Sequence, residues 1–201
     1  MKNKNLIYNN FIQKKYLSSK LNKKIGKSYS SIIKKITVNL DTAKNSFHTL
    51  SKNYKFNFNM KQLNRFKKFN TVAVVGIGGS ILGSEAIYFF LKKKIKKNFI
   101  FINDINEDKL QQLKDKKNLN KILFIVISKS GNTIETLSNF MALKIIKKNS
   151  KNIIIVSEKS DNPLYLLSQK MNLFHVEHNN YVSGRYSVLS ETGMLPAELM
   201  N

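Results

Sequence analysis

Cysteine is absent from this 201-residue chain. Disulfides and thiolate metal sites are therefore excluded, and the composition suits a reducing compartment. Arginine is nearly absent too: of 35 basic residues only Arg65 and Arg185 are arginines. Carboxylates are few, 12 in all, which leaves a formal net charge of +23. Charge of that size ordinarily points to nucleic acid. Here it does not. Binders of phosphate backbones use arginine for its bidentate fork. The lysines are spread along the chain, and no RNA- or DNA-binding motif accompanies them. Asparagine and isoleucine are abundant alongside lysine, the pattern of drift in an A+T-rich coding sequence. An apolar h-region is also missing from the basic N-terminus, so no secretory signal is expected. Thr71–Leu91 is apolar and approaches the ~20 residues of a membrane span. Gly76, Gly78, Gly79, Ser80, Ser84 and Glu85 interrupt it, however, and it reads better as strand, turn and helix. A cytoplasmic protein with neither nucleic acid nor membrane as partner is expected.

The hydrophobic share, 42%, is enough for a real core. Two regions are expected. Residues 1–70 are Lys/Asn-rich and form an N-terminal helical extension. In it Ile32, Ile33, Ile36, Leu40, Ala43, Phe47 and Leu50 recur at three- and four-residue spacings. That spacing predicts one amphipathic helix over about 29–51, with a packing face. A shorter helix is expected at 60–68. Residues 71–201 form the second region, where apolar strands at 72–75, 98–102, 121–127, 152–156 and 172–176 alternate with helices at 81–92, 106–115, 133–147 and 163–171. The strands are continuous apolar runs, as in strands buried on both faces. The fold class is therefore α/β: a doubly wound parallel sheet of about five strands flanked by helices. Such sheets bind ligands at the carboxyl ends of their strands. After Pro196 the chain reads as a helix still running at Asn201: either the fold ends unusually, or this is the first part of a longer protein.

Two glycine- or serine-rich turns fall at those carboxyl ends. One is Gly76-Ile-Gly-Gly-Ser80-Ile-Leu-Gly83; the other is Ser128-Lys-Ser-Gly-Asn-Thr133. Each joins a strand to a helix N-terminus, where backbone N–H groups and hydroxyls suit a phosphate. The first turn lacks the third glycine of a dinucleotide fingerprint, though Asp104 lies near the place of a ribose-binding acid. It also lacks the Gly-Lys-Ser/Thr of a Walker loop. A metal-free phosphomonoester cradle fits better: Ser80 in the first turn, Ser128, Ser130 and Thr133 in the second, Lys129 adding charge. The competing reading is that Ser80 and Thr133 merely cap helices. Glu135 reads as a capping carboxylate. His175 and His178 lack a third metal ligand, and His48 reads as an ordinary helix residue. Arg185 stands out where lysine replaces arginine nearly everywhere. Beside Gly184, it suits a site needing a rigid, permanently charged fork; a structural salt bridge is the alternative.

The segment Ser128–Thr136 resembles the sugar-isomerase (SIS) domain signature. Gly76–Gly83 and Gly184-Arg-Tyr-Ser187-Val-Leu-Ser190 are similar to the two further hallmarks of the glucose-6-phosphate isomerase family. The resemblance covers about 71–200. It implies interconversion of glucose 6-phosphate and fructose 6-phosphate through a cis-enediol(ate), with no cofactor or metal. It also implies that Ser80, Ser128, Lys129, Ser130 and Thr133 bind the phosphate and that Gly79 contacts the sugar. Arg185 would stabilise the enediolate, and the full-length protein would be a homodimer. Ser183 departs from the family's usual glycine before Gly184. The family's proton-transferring glutamate, ring-opening histidine and further lysine lie later in the chain than residue 201; Glu191 and Glu198 do not match that glutamate's motif. The expectation is thus the sugar-phosphate-binding part of an isomerase, cut before a second SIS domain and inactive alone. The alternatives are a non-enzymatic SIS module that senses a sugar phosphate and a nicotinamide-dependent oxidoreductase.

Overall fold

A computed structural model describes residues 18–42, 44–115 and 118–201. Ala43 of the apolar series and the first residues of the extension lie outside them. In chain order the elements are α1 (Ser19–Asn39), α2 (Met60–Leu63), β1 (Thr71–Val75), α3 (Leu82–Leu91) and β2 (Asn98–Ile102). There follow α4 (Glu107–Lys114), β3 (Ile122–Ile127), α5 (Ile134–Ala142), β4 (Ile153–Ser157), α6 (Pro163–Lys170), β5 (Phe174–Glu177) and α7 (Glu191–Glu198). All strand pairings are parallel, and the order is β2-β1-β3-β4-β5. The chain runs from β1 outward to β2, then returns past β1 to β3. With right-handed crossovers that reversal puts helices on both faces.

The period-2 alternation of the strands serves both layers. Val72 and Val74 point into a core with Tyr88 of α3 and Leu195 and Leu199 of α7. Ala73 and Val75 point into the opposite core with Leu110 of α4, Phe140 of α5 and Leu164 of α6. Every residue of β3 is buried, which is why its sequence is an unbroken apolar run. Phe58, Leu63, Phe66 and Phe69, which precede β1, join the α3/α7 core.

The expected helix at 29–51 differs. α1 begins earlier, at Ser19, capped by Ser18, and stops at Asn39. The Asp41/Thr42 turn follows, and a separate 3-10 turn occupies Ser46–Leu50, capped by Asn45. Asn, Asp and Thr compete for backbone hydrogen bonds and favour turns over a continuing helix. The expected packing face is thin: Ile32 and Ile33 are exposed, Ile36 and Leu40 are half-buried, and α1 has no fully buried residue. α5 also ends before 147, because Lys144 turns left-handed at φ 53° and closes the helix as a glycine usually does. α7 closes at Glu198, short of Asn201. No helix among the described residues is long and apolar enough to cross a membrane.

Candidate functional site

Strand order 2-1-3 makes the β1/β3 pair the topological switch point, where open parallel sheets hold their ligands. Val75 lies opposite Val126, so the turns after β1 and β3 leave the sheet side by side at the level of Gly76 and Ile127. A Cβ on Gly76 would stand 2.9 Å from the Ile127 carbonyl oxygen. Glycine is needed there for the two strand ends to close up.

The helices rising from these turns are unlike most others. α1, α2, α4 and α6 each carry a side-chain cap, from Ser18, Asn59, Asn106 and Asn162. α3 and α5 carry none, and neither does α7, which follows the Arg185 segment. Ser80 does not cap α3: the N-cap is Ile81, after a 3-10 turn at Gly78–Ser80 in which Gly78 has φ +57°. Thr133 is the N-cap of α5, yet its Oγ1 lies 2.9 Å from the Ser128 hydroxyl instead of on the helix. The capping reading of Ser80 and Thr133 thus fails on geometry. Both N-termini keep unpaired N–H groups and their dipoles, forgoing about 1 kcal/mol of capping at each.

The second turn is braced from behind. Gly131 has φ +67°, and a Cβ on it would meet Asn162 Oδ1 at 1.8 Å. Asn162 is buried, caps α6 at Tyr165 N, and donates to the Glu158 carbonyl. The sequence reading missed it. Its position just before Pro163 signals a helix start, but contact with Gly131 is visible only in three dimensions. Asn162→Ala is expected to cost about 1–2 kcal/mol, read as a lower urea midpoint, with the turn loosened as well. Lys129 is held at this edge. Its Nζ donates to the Asn180 carbonyl at 2.8 Å and lies 3.6 Å from Glu158. Ser130 and Glu135 are exposed at the mouth.

The Arg185 segment docks onto the first turn. A Cβ on Gly79 would stand 2.0 Å from the Gly184 carbonyl oxygen. The Ser187 hydroxyl donates to both the Gly79 and Gly184 carbonyls, at 3.2 and 2.7 Å. Arg185 itself is exposed and makes no ion pair among the described residues. Ser183 adopts φ −67° and needs no glycine; its N–H donates to Ser46 Oγ. Below the segment, Glu191 opens α7 fully buried. Both its oxygens accept from the Tyr54 hydroxyl, at 3.1 and 3.0 Å, and one accepts the Asn57 N–H at 3.1 Å. Burial pushes the Glu191 pKa up, and burial and the nearby Glu191 charge push Tyr54 up.

The remaining candidates have partners of their own. Asp104 pairs with Lys109 at 2.9 Å. His178 is buried, with Nδ1 2.9 Å from the Asn179 carbonyl oxygen, and burial lowers its pKa. His175 lies 3.0 Å from Ser157 Oγ and edge-on to Tyr165. Burial brings its pKa down from 6.5 to about 4. The unfolded chain takes up this proton below pH 6.5 and the folded one only near 4, so stability is lost as pH falls through that window. Glu191, with a raised pKa, acts in the opposite sense: its contribution is full below pH 4.5 and fades as pH rises. The urea midpoint is expected to drop between pH 7 and 5, and to drop less in His175→Gln.

The family model of phosphoglucose isomerase matches residues 28–200. The glucose-6-phosphate isomerase of Borreliella afzelii is 36% identical over 149 residues, covering 68% of this chain and 28% of that protein. The crystal structure of a glucose-6-phosphate isomerase from Chlamydia trachomatis superposes with a TM-score of 0.55 at 25% identity, over 66% of this chain and 28% of that one. A hypothetical protein from Thermus thermophilus shares the fold, with a TM-score of 0.60 at 20% identity, over 85% of this chain and 46% of that one. The chain thus spans about a quarter to a third of the length of the curated relatives it matches.

Proposed function

Since the chain belongs to the phosphoglucose isomerase family, we propose that it binds a hexose 6-phosphate between the turns after β1 and β3, as the substrate-holding part of a glucose-6-phosphate isomerase. The observation that carries this reading is the pair of uncapped helix N-termini at the switch point. A bound phosphate supplies the acceptor that the missing caps do not. Ser80, Ser128, Ser130 and Thr133 provide hydroxyls to its oxygens. Lys129 adds positive charge at the edge while tying the turn to the loop after β5. Gly79 meets the sugar.

Arg185 acts in the chemical step. When the ring is open and the C2 proton is removed, negative charge develops on the enediolate oxygens. The guanidinium, carried by the segment whose backbone docks against Gly79, stabilises it as an oxyanion site does. The residues gathered at the turns bind and polarise; the proton transfer between C2 and C1 is assigned to none of them. Turnover by residues 1–201 alone is therefore expected to be negligible. In a polypeptide that completes the reaction, Arg185→Lys keeps charge but loses the planar fork. It is expected to lower kcat at least about tenfold while KM changes little.

The test is calorimetric titration of the 201-residue chain with fructose 6-phosphate and with NADH, beside a coupled isomerase assay. Hexose phosphate binding without turnover supports the reading. Turnover well above background contradicts the assignment of proton transfer elsewhere. Binding of NADH with no hexose phosphate binding overturns the reading in favour of an oxidoreductase.

A further inference from the structure

The opposite end of the sheet, where β1, β3 and β4 begin, holds a cleft that the hexose phosphate reading leaves unused. Its volume is about 840 Å3, and it runs into a second recess of about 540 Å3 across Lys68, Ser150 and Lys151. The volume lies in the range of small-molecule sites. Six cations line the two: Arg65, Lys68, Lys121, Lys147, Lys148 and Lys151. No carboxylate lines either, and none of the six makes an ion pair among the described residues. These lysines are dispersed in sequence. The early end of α5 at Ala142 frees the following loop to carry Lys147, Lys148 and Lys151 to the rim. The floor is fixed: Asn152 Nδ2 donates to the Leu119 and Ile122 carbonyls, and Asn172 Nδ2 to Asn149 Oδ1.

Mutual repulsion among six unpaired cations is relieved by an anion of several charges, and lysine ammonium groups suit phosphate oxygens. Single-stranded nucleic acid also needs aromatic faces on which bases stack. The cleft offers none: Phe69 is buried, and the Arg65 guanidinium covers Phe174 at 4.4 Å from the ring centroid. We propose that this cleft binds a linear oligophosphate, either inorganic polyphosphate or the triphosphate tail of a nucleotide, at a site separate from the turns after β1 and β3.

The test is calorimetry of the 201-residue chain with sodium tripolyphosphate. Lys147→Gln/Lys148→Gln/Lys151→Gln is expected to weaken binding at least about tenfold. Lys20→Gln/Lys23→Gln/Lys24→Gln, three exposed lysines of α1 with the same change in net charge, is expected to leave affinity within about twofold. Equal losses in the two variants would mean attraction by net charge alone and overturn the proposal, as would no binding at all. Ser128→Ala/Thr133→Val is expected to retain tripolyphosphate binding; its loss would place the anion at the turns instead. ATP binding as tightly as tripolyphosphate identifies a nucleotide tail, and much weaker ATP binding identifies polyphosphate. A single-stranded RNA held more tightly than tripolyphosphate through the same three lysines overturns the oligophosphate reading. The lysine variants read this cleft alone, so its failure leaves the hexose phosphate reading intact.

Discussion

Alanine at Gly79 is expected to separate the Arg185 segment from the first turn and to cost about 3 kcal/mol, at the upper end of overpacking effects. The added methyl would lie 2.0 Å from the Gly184 oxygen, 2.5 Å from its carbonyl carbon and 3.1 Å from the Arg185 nitrogen. All three are backbone atoms, so no side chain can rotate away. The segment must lift, taking with it the Ser187 bridge between the two carbonyls. For a chain of this size the loss corresponds to a fall in Tm of roughly 6–12 °C. Gly184→Ala is the control. A Cβ there has nothing within 4 Å, and the change is expected to stay within about 0.5 kcal/mol. Equal Tm values for the two variants would contradict the docking. In a polypeptide that turns over, Gly79→Ala is also expected to lower kcat, because that segment carries Arg185.

The second large effect concerns Glu191. Its carboxylate joins the start of α7 to Tyr54 and Asn57, so it supports the Arg185 segment from below. Glu191→Ala leaves the half-buried Tyr54 hydroxyl and the Asn57 N–H short of an acceptor and empties the fully buried space of the Glu191 side chain. The expected cost is about 2–3 kcal/mol, from the lost hydrogen bonds and the cavity together. Adding Tyr54→Phe removes one orphan and is expected to recover part of the loss, a non-additivity typical of groups in one network. Glu191→Gln keeps an acceptor without a buried charge and is expected to cost less. Urea unfolding of the wild type, Glu191→Ala, Tyr54→Phe, the double variant and Glu191→Gln checks the set. Losses that simply add would show that Glu191 and Tyr54 do not act together.

The doubly wound sheet was legible because burial on both faces leaves a mark on composition: β3 is apolar throughout and β4 is apolar up to Ser157. Both turns were legible because glycine and serine at strand ends have few other uses. Periodicity located α1 but not its ends. The apolar spacing continues past Asn39 while the turn chemistry at Asp41 and Asn45 breaks the helix. The same blindness extended α5 through Lys144, since nothing in a lysine announces φ 53°. Within the site, Asn162 and Glu191 stayed hidden for another reason. Each acts on a residue far away in sequence, Asn162 on Gly131 and Glu191 on Tyr54. Glu191 fits no catalytic motif; its part lies in burial and hydrogen bonding instead. The basic cleft is of the same kind, since lysines spread along the chain meet only once β1, β3 and β4 are side by side.

The central claim is that the turns after β1 and β3, with the Arg185 segment, form one hexose phosphate site. Backbone amide chemical shifts of the 15N-labelled chain, followed during titration with fructose 6-phosphate, test it most directly. The largest shifts are expected at Gly78–Ser80, Lys129–Thr133 and the Arg185 segment, with Ser128→Ala/Thr133→Val abolishing them. Shifts confined to the lysine-lined end of the sheet, or no shifts at saturating ligand, would contradict the account.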